Sequence, residues 1–365
     1  MNRSSIQEGA EGRLRELDGW RAISVLLVIV HHVCWWQHPD IFSSHVRLFH
    51  LLQYCGPLGV KIFFVISGFV ICRLLLLEEK RYGDVSLAAF YIRRAFRILP
   101  PLYFYLAIVF LLSSLGLLFN PWPAMLASAL FLQDLCFVGV RDWFVGHTWS
   151  LAVEEQFYLA FPALWVISRR TSRIRLFLIL FSLIVAWNVS DAIFSWDQFV
   201  GFAARPGFAC ICCGVIIAIL EPQARAIARA VPMVAAICLM LVLLWRPIEG
   251  SAWSIALYET LFVPPAIGIL LIFSLERKGW LRSLLCSPPL QAIGVTSYGI
   301  YLWQQLFTAL PKDMSAAAKP LPFLLPLLLV VVPLSWRFIE KPAMQIGKRL
   351  SHRIRARSVA EKVLA

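Results

Sequence analysis

Residues 17–36, LDGWRAISVLLVIVHHVCWW, form an apolar run that carries two ionisable side chains, Arg21 and His32. Ten residues separate the pair, so on an α-helix both side chains point the same way, about 16 Å apart along the axis. Ionisable groups inside a bilayer are costly and usually mark a pathway or a reacting site. The spacing therefore favours a site with a fixed cation at one end and a titratable base near mid-membrane. A satisfied polar contact between packed helices is the alternative that the spacing leaves open.

The composition of the chain places it in a membrane. The sequence is 60% hydrophobic and 15% charged, and its mean hydropathy is +0.74. Several apolar runs reach the roughly 20 residues that a spanning helix needs. We predict an all-α, polytopic membrane helical bundle of ten transmembrane helices, at residues 18–36, 58–77, 100–119, 149–168, 175–191, 205–220, 231–245, 255–275, 289–310 and 320–338.

The distribution of Lys and Arg predicts the orientation of these spans. With ten spans, most of the 34 basic residues fall on the side that holds both chain ends, so the positive-inside rule places the N and C termini in the cytoplasm. Residues 124–140 also form an apolar stretch. If that stretch crossed, RRTSRIR at 169–175 would lie outside, so we predict that it is interfacial or re-entrant and does not span.

A single membrane domain, 1–343, followed by a basic cytoplasmic tail, 344–365, accounts for the whole chain. The first apolar run follows a charged stretch and lacks a small-residue cleavage site, so we expect it to stay in the mature protein and not to be a signal peptide. The net charge of +13 is spread loop by loop on one predicted side. This pattern favours membrane lipid headgroups as the partner of the charges and no nucleic acid.

Polar residues in other spans would face the same cavity as His32. Ser67 lies with a glycine in the second span, where small residues also allow close helix packing. Arg93 and Arg97 stand at the inner mouth of the third span; guanidinium groups match phosphate geometry, although they could equally orient the helix by charge. Glu154, in the fourth span, could orient His32 or raise its basicity. It could instead cap its helix, because negative groups favour the first turn.

The remaining polar and aromatic candidates sit near the predicted outer ends of spans or in the ninth span: Trp149, Ser150, Tyr158, Arg205, Ser297, Tyr298 and Tyr301. Trp149 could stack on a sugar ring, but an interfacial aromatic belt is the preferred interpretation. Cysteines at 210, 212 and 213 have no His or carboxylate at ligand spacing. We therefore expect them to act as small apolar side chains, and we predict no metal site.

Six sequence blocks together resemble the acyltransferase-3 family of integral membrane O-acyltransferases of the bacterial envelope. They are LDGWRAISVLLVIVHH, FFVISGF, RRAFRILP, TWSLAVEEQFY, SYGIYLW and RFIEKP, in family order from residue 17 to about 342. The first block is similar to the family motif in which Arg and His are separated by ten residues. The resemblance implies ten helices with cytoplasmic termini, in the inner (plasma) membrane.

The same resemblance implies an enzyme that transfers an acyl group, often acetyl from acetyl-CoA, to a hydroxyl of a carbohydrate or other extracytoplasmic acceptor. Acyl-CoA would be a co-substrate, with no bound cofactor. The assigned roles are catalytic for His32, Arg21 and Glu154, donor-binding for Arg93, Arg97, Ser67 and Arg205, and supporting for Trp149, Ser150, Tyr158, Ser297 and Tyr298. Many members have His where this chain has Gln304, which puts a proton-transfer role there in doubt. Because no hydrolase-like domain follows, we expect transfer to finish in the membrane unit or through a partner.

This hypothesis allows two mechanisms, and two other functions compete with it. His32 either removes the proton of the acceptor hydroxyl as it attacks the thioester, or takes the acyl group itself and passes it on. A transporter or flippase of an acyl donor or lipid-linked sugar would also carry polar residues inside its bundle. That rival lacks support from paired Gly- or Pro-broken half-helices. A non-catalytic assembly subunit is the third interpretation, and it predicts that His32 is replaceable.

Overall fold

The structure, a computed structural model, describes residues 14–37, 46–119, 122–135, 142–195, 200, 204–244, 250–308 and 325–364, and over these ranges it is helical without a strand. Helices α1 to α8 are Arg15–Gln37, Val46–Tyr82, Leu87–Ser114, Trp122–Ala129, Trp143–Gly146, Trp149–Ile167, Arg173–Phe194 and Ala204–Ile219. Helices α9 to α17 are Glu221–Ala230, Met233–Leu244, Ala252–Leu257, Val263–Glu276, Trp280–Leu285, Pro288–Val295, Ser297–Phe307, Leu328–Ser335 and Lys341–Leu364. Two π-helical segments, Tyr258–Phe262 and Trp336–Glu340, join α11 to α12 and α16 to α17.

Long apolar helices support the prediction of a multi-pass membrane protein. Within the described ranges, four are long and apolar enough to cross a membrane: His50–Tyr82, Leu87–Ser114, Arg173–Phe194 and Ala252–Glu276. Helices α8 and α9 would add a fifth crossing if they act as one span, although they are bent by 87° at their junction. The count of ten spans and the cytoplasmic position of both termini stay predictions.

Several predicted spans are divided or shortened in the structure. The ninth, 289–310, is broken at Thr296 between α14 and α15. In the seventh, 231–245, the described helix α10 has 12 residues, or about 18 Å at 1.5 Å per residue, and residues 245–249, which follow it, lie outside the described ranges. A bilayer core is about 30 Å thick. Hydropathy counts apolar length along the chain, whereas a crossing helix must also be continuous.

The segment 124–140 holds only a short helix in its described part. Helix α4 has eight residues, or about 12 Å of helix, and it ends at Ala129. Irregular backbone follows to residue 135, with Phe131 at a φ of 56°. An element of this length does not cross a bilayer core by itself. Residues 136–140 lie outside the described ranges.

The described residues divide into two compact units. The first comprises Met1–Leu77 and Val153–Ser297, and the second Glu78–Ala152 and Tyr298–Ala365. In the first unit, α1 packs against α14, α8 packs against α7, and α9 packs against α12. In the second, α17 packs along α3. The predicted domain boundary at 343/344 falls inside a helical stretch that continues from α16 through the π-helical segment into α17.

Small residues allow two helices of the first unit to approach closely. A Cβ atom on Gly68 of α2 would overlap the carbonyl oxygen of Ile211 in α8, and one on Gly214 of α8 would overlap that of Val65 in α2. The contact is therefore reciprocal, and each glycine faces the backbone of the other helix. Close approach through small residues is a common way to pack helices without a hydrophobic driving force. It positions the stretch of α2 that carries Ser67.

Candidate active site

Arg21 and His32 both lie on the uninterrupted helix α1, as their spacing predicts. Eleven residues of helical rise place them about 16 Å apart along its axis. His32 is half-buried, and its ring centroid is 5.2 Å from that of His31. Arg21 forms an ion pair with Asp18 at 3.4 Å, one turn earlier. The cation at this end of the helix thus has a carboxylate beside it.

His31 packs against the second helix. Its Nδ1 lies 3.3 Å from the carbonyl oxygen of Leu52, and a Cβ atom on Gly56 would lie 2.6 Å from its ring. Successive residues of a helix point about 100° apart, so His32 is directed away from this contact. Packing is a sufficient role for His31, and the two neighbouring histidines have different surroundings.

The structure brings together Ser67, Glu154 and Tyr158, three of the predicted site residues. The Ser67 hydroxyl donates a hydrogen bond to Glu154 Oε1, and the Tyr158 hydroxyl donates another to the same oxygen. Two donors from α2 and α6 therefore orient one carboxylate. Helix α6 begins at Trp149, so Glu154 lies beyond its first turn. This position removes the alternative that Glu154 caps the helix, since caps act within the first turn.

The two arginines predicted to bind the donor have carboxylates nearby in the second unit. Arg93 Nη2 lies 3.0 Å from Glu78 Oε2, and Glu78 also pairs with Arg355. The charge of Arg97 acts on the buried Glu340. A cluster with two guanidinium groups around Glu78 keeps a net positive charge, so it remains compatible with an anionic ligand. Binding of a donor by Arg93 and Arg97 stays a prediction.

Arg205 is buried and engaged with its own unit. Its guanidinium pairs with Asp191 of α7, and Nε and Nη2 donate to the carbonyl oxygen of Val200 at 3.4 and 3.3 Å. These bonds connect the start of α8 to the end of α7. The arrangement explains Arg205 as a link between two helices. Its role in binding the acyl donor stays a prediction.

Supporting residues of the second unit form hydrogen bonds around α15. Ser150 Oγ lies 2.6 Å from the Tyr301 hydroxyl, and the hydroxyls of both residues donate to the carbonyl oxygen of His147. The Tyr298 hydroxyl donates to the carbonyl oxygen of Ile98 at 3.0 Å, next to Arg97 in the chain. Trp149, the first residue of α6, is half-buried.

Ser297 is buried at the first residue of α15. Gln304, the position where the family resemblance expects His in many members, is also buried. Its Nε2 donates to Gln305 Oε1 at 3.0 Å, and its Oε1 accepts from the Thr308 hydroxyl at 3.3 Å. A side-chain amide does not change its protonation state near neutral pH. Gln304 therefore forms hydrogen bonds at this position but cannot take up or release a proton, as a histidine there could.

Several ionisable residues near the candidate positions were not identified from the sequence, among them Glu78, His147 and Glu340. His147 is buried, and its ring makes edge contacts with Tyr105 and Tyr301 at centroid distances of 5.7 and 5.4 Å. His147 directly precedes the TWSLAVEEQFY block, and Glu340 lies inside the RFIEKP block. Their positions next to or inside these blocks could have identified both residues from the sequence. Glu78 had none, because it lies in an ordinary charged stretch at the end of α2.

The cysteines of α8 pack inside the protein. Cys210, Cys212 and Cys213 are buried, and the Cys212 thiol lies 3.3 Å from the carbonyl oxygen of Phe177. Among the residues that the structure describes, no group of three or more His, Cys, Asp or Glu side chains is placed to hold a metal ion.

Comparison with known proteins agrees with the sequence blocks. Residues 14–340 match a family model described as an acyltransferase domain. No solved structure matches the chain.

Curated relatives from three bacteria cover most of the chain. A protein of Staphylococcus aureus (strain COL) named "Putative O-acetyltransferase" is 27% identical, over 91% of this chain and 57% of its own length. The peptidoglycan O-acetyltransferase OatA of Listeria monocytogenes is 25% identical over 91% and 56%. A Bacillus subtilis protein named "Putative peptidoglycan O-acetyltransferase YrhL" is 27% identical over 91% and 55%. The chain thus spans little more than half the length of the curated relatives it matches.

Proposed function

The chain belongs to the acyltransferase-3 family, and from that premise we propose that it is an O-acyltransferase of the inner membrane, with an acyl-CoA as donor and a carbohydrate hydroxyl as acceptor. The observation that carries the proposal is the position of Arg21 and His32 on the continuous helix α1, inside the region that matches the family. Imidazole is a suitable base for this reaction, because the ordinary pKa of histidine lies near neutral pH.

We further propose acetyl as the acyl group and an envelope glycan as the acceptor. Relatives whose names specify O-acetylation of peptidoglycan support this choice. The phosphates of the donor would meet the guanidinium groups of Arg93 and Arg97, and the cluster of Arg93, Arg355 and Glu78 keeps a net positive charge. Arg21 would contribute a further cation on the helix that carries His32.

In the direct mechanism, His32 takes the proton of the acceptor hydroxyl while its oxygen attacks the thioester carbonyl. The carbon–sulfur bond breaks, and the proton passes to the departing thiolate, so the products are an ester and free CoA. In the relay mechanism, an imidazole nitrogen attacks the thioester and CoA leaves as the thiolate. The acceptor oxygen then displaces the imidazole, and the proton released by the acceptor hydroxyl balances the proton taken up by the thiolate. Both routes need an imidazole at position 32, as a base in the first and as a nucleophile in the second, and both end in the same products.

Glu154 would act on this chemistry as a positioning residue. Its carboxylate is oriented by Ser67 and Tyr158, and a carboxylate held in this way can orient an imidazole and stabilise its protonated form. This assignment keeps the proposed catalytic group small: one base, His32, with the charges around it supplied by Arg21 and Glu154.

The test is a gene deletion complemented by variants. Every envelope glycan and secreted glycolipid is compared by mass spectrometry between the deletion strain and strains restored with wild type, His32→Ala or His31→Gln. We expect the mass of one acetyl group per site to disappear with the deletion and to return with wild type and His31→Gln, but not with His32→Ala. His31→Gln is the matched control, because it alters the adjacent histidine and retains a hydrogen-bonding side chain.

Other outcomes would contradict the proposal. Full restoration by His32→Ala in a folded, normally abundant protein would favour an assembly subunit. Movement of a labelled donor or lipid-linked sugar across liposomes by the purified protein, without an acylated product, would favour a transporter. Melting temperatures of the purified variants separate loss of chemistry from loss of folding.

A further inference from the structure

The final helix, α17, packs one face along α3. Its buried residues recur every four positions, at Ala343, Gly347 and Ser351, which is the spacing of one helix face. A Cβ atom on Gly347 would lie 2.6 Å from Cβ of Phe96 and 3.4 Å from the carbonyl oxygen of Ile92. The glycine therefore allows α17 to lie directly against the first turns of α3.

Arg355 forms the next contacts of α17, one turn after Ser351. Its guanidinium pairs with Glu78, donates to the carbonyl oxygen of Asp84 at 2.8 Å, and lies 3.9 Å from the centroid of the Tyr82 ring. These three contacts lie at the end of α2 and in the short connection to α3. Since α2 and α3 contain consecutive candidate spans, their connection lies on one side of the bilayer. The contacts hold α17 on the same side, beside the end of α2.

The opposite face of α17 is exposed and basic. Lys341, Lys348, Arg349 and Arg353 are all exposed, and at 100° per residue they fall within about 140° of the helix circumference. The structure shows no acidic partner for these four side chains among the residues that it describes. They extend over about 18 Å of helix. A single nucleoside diphosphate is too small to contact all four side chains at once.

We propose that this exposed face, Lys341, Lys348, Arg349 and Arg353, binds the headgroups of anionic phospholipids. The inference is independent of the proposed acyl transfer, because it rests on the position and charge of α17 alone. Basic residues near an anionic membrane surface each strengthen binding about fivefold. Their aliphatic stems can also lie along apolar surface while the charge reaches the headgroup. The charge of the row, its exposure and its place beside the end of a candidate span match a lipid surface.

The test compares lipid binding of the full-length protein in neutral detergent. Native mass spectrometry measures retention of phosphatidylglycerol and phosphatidylcholine by wild type and by Lys348→Gln/Arg349→Gln/Arg353→Gln. The matched control, Lys80→Gln/Arg175→Gln/Lys278→Gln, removes the same charge at three exposed positions elsewhere. We expect the α17 variant to bind phosphatidylglycerol at least ~10-fold more weakly. The control should stay within about threefold of wild type, and phosphatidylcholine binding should not change.

Three results would overturn the proposal. Wild-type affinity for phosphatidylglycerol in the α17 variant would mean that the face binds something else, such as an acidic protein. An equal loss in the control variant would mean that total charge matters and the face does not. An equal loss for both lipids would point to damage to the lipid-facing surface, and unchanged melting temperatures exclude misfolding as the cause of any loss.

Discussion

Glu340 is a carboxyl group whose ionisation is opposed by burial. It follows the last predicted span and is 3% exposed. Burial raises the pKa of Glu340 from its ordinary value of 4.5 to about 7, although the hydrogen bond from Ser335 and the charge of Arg97 act in the other direction. Between these two values the folded protein holds a proton that the unfolded chain has lost. The free energy of unfolding therefore falls as the pH rises from about 4.5 to 7.

Replacing Glu340 by Gln should remove this pH dependence. Glutamine has the same shape and does not ionise, so the variant should gain on the order of 3 kcal/mol relative to wild type at pH 8 and almost nothing near pH 4.5. Thermal unfolding of the detergent-purified proteins from pH 4.5 to 8 measures the difference. Parallel curves for the two proteins would show that Glu340 is not the titrating group.

At the scale of the helices, the pair of Lys61 and Glu259 joins α2 to the π-helical segment between α11 and α12. Both side chains are buried, at 7% and 4% exposure, and they form an ion pair. The Lys61 ammonium also lies 5.1 Å from the centroid of the Tyr54 ring. Taking one partner away leaves an uncompensated buried charge, whereas replacing both with apolar residues removes the desolvation cost together with the attraction.

We expect Lys61→Met to destabilise the protein by about 3–5 kcal/mol and Lys61→Met/Glu259→Leu to destabilise it far less. The comparison is a double-mutant cycle on melting temperature in detergent, with Glu259→Leu as the fourth protein. If the effects of the two single substitutions simply add in the double variant, the two charges do not stabilise each other.

On the scale of the whole molecule, the prediction that 124–140 does not span determines on which side later loops are expected to lie. Two predicted crossings separate the connection at Gly83 from the turn at Thr171. They are the one in α3 and the one at 149–168. If 124–140 does not cross, both places face the cytoplasm. The short helix α4 supports this arrangement.

Reporter fusions truncated after Gly83 and after Thr171 should therefore both behave as cytoplasmic. A reporter active only outside, such as a periplasmic phosphatase, should stay inactive at both positions, and green fluorescent protein should fluoresce at both. Opposite results at the two positions would mean that 124–140 crosses the membrane. A fusion at residue 121 supplies the positive control, because only α3 separates it from Gly83.

The predicted active-site residues show how far the sequence alone could reach. Ser67, Glu154 and Tyr158 fall in recognisable blocks, and the structure places all three in one hydrogen-bonded cluster. Their roles stay predictions. The capping role considered for Glu154 was wrong, because α6 begins at Trp149 and Glu154 lies beyond its first turn. The carboxylates beside Arg93 and Arg97 were missed, since each comes from a different part of the chain.

The sequence by itself determined the class of the protein and the placement of Arg21 and His32 on one helix. Both depend on local properties: hydropathy over about 20 residues, and a periodicity that any continuous helix imposes. Only the tertiary structure decided which charges meet. Glu78 and Arg355 are 277 residues apart, and Ser67 and Glu154 are 87 apart. Such pairs form through the packing of distant helices, which no local pattern encodes.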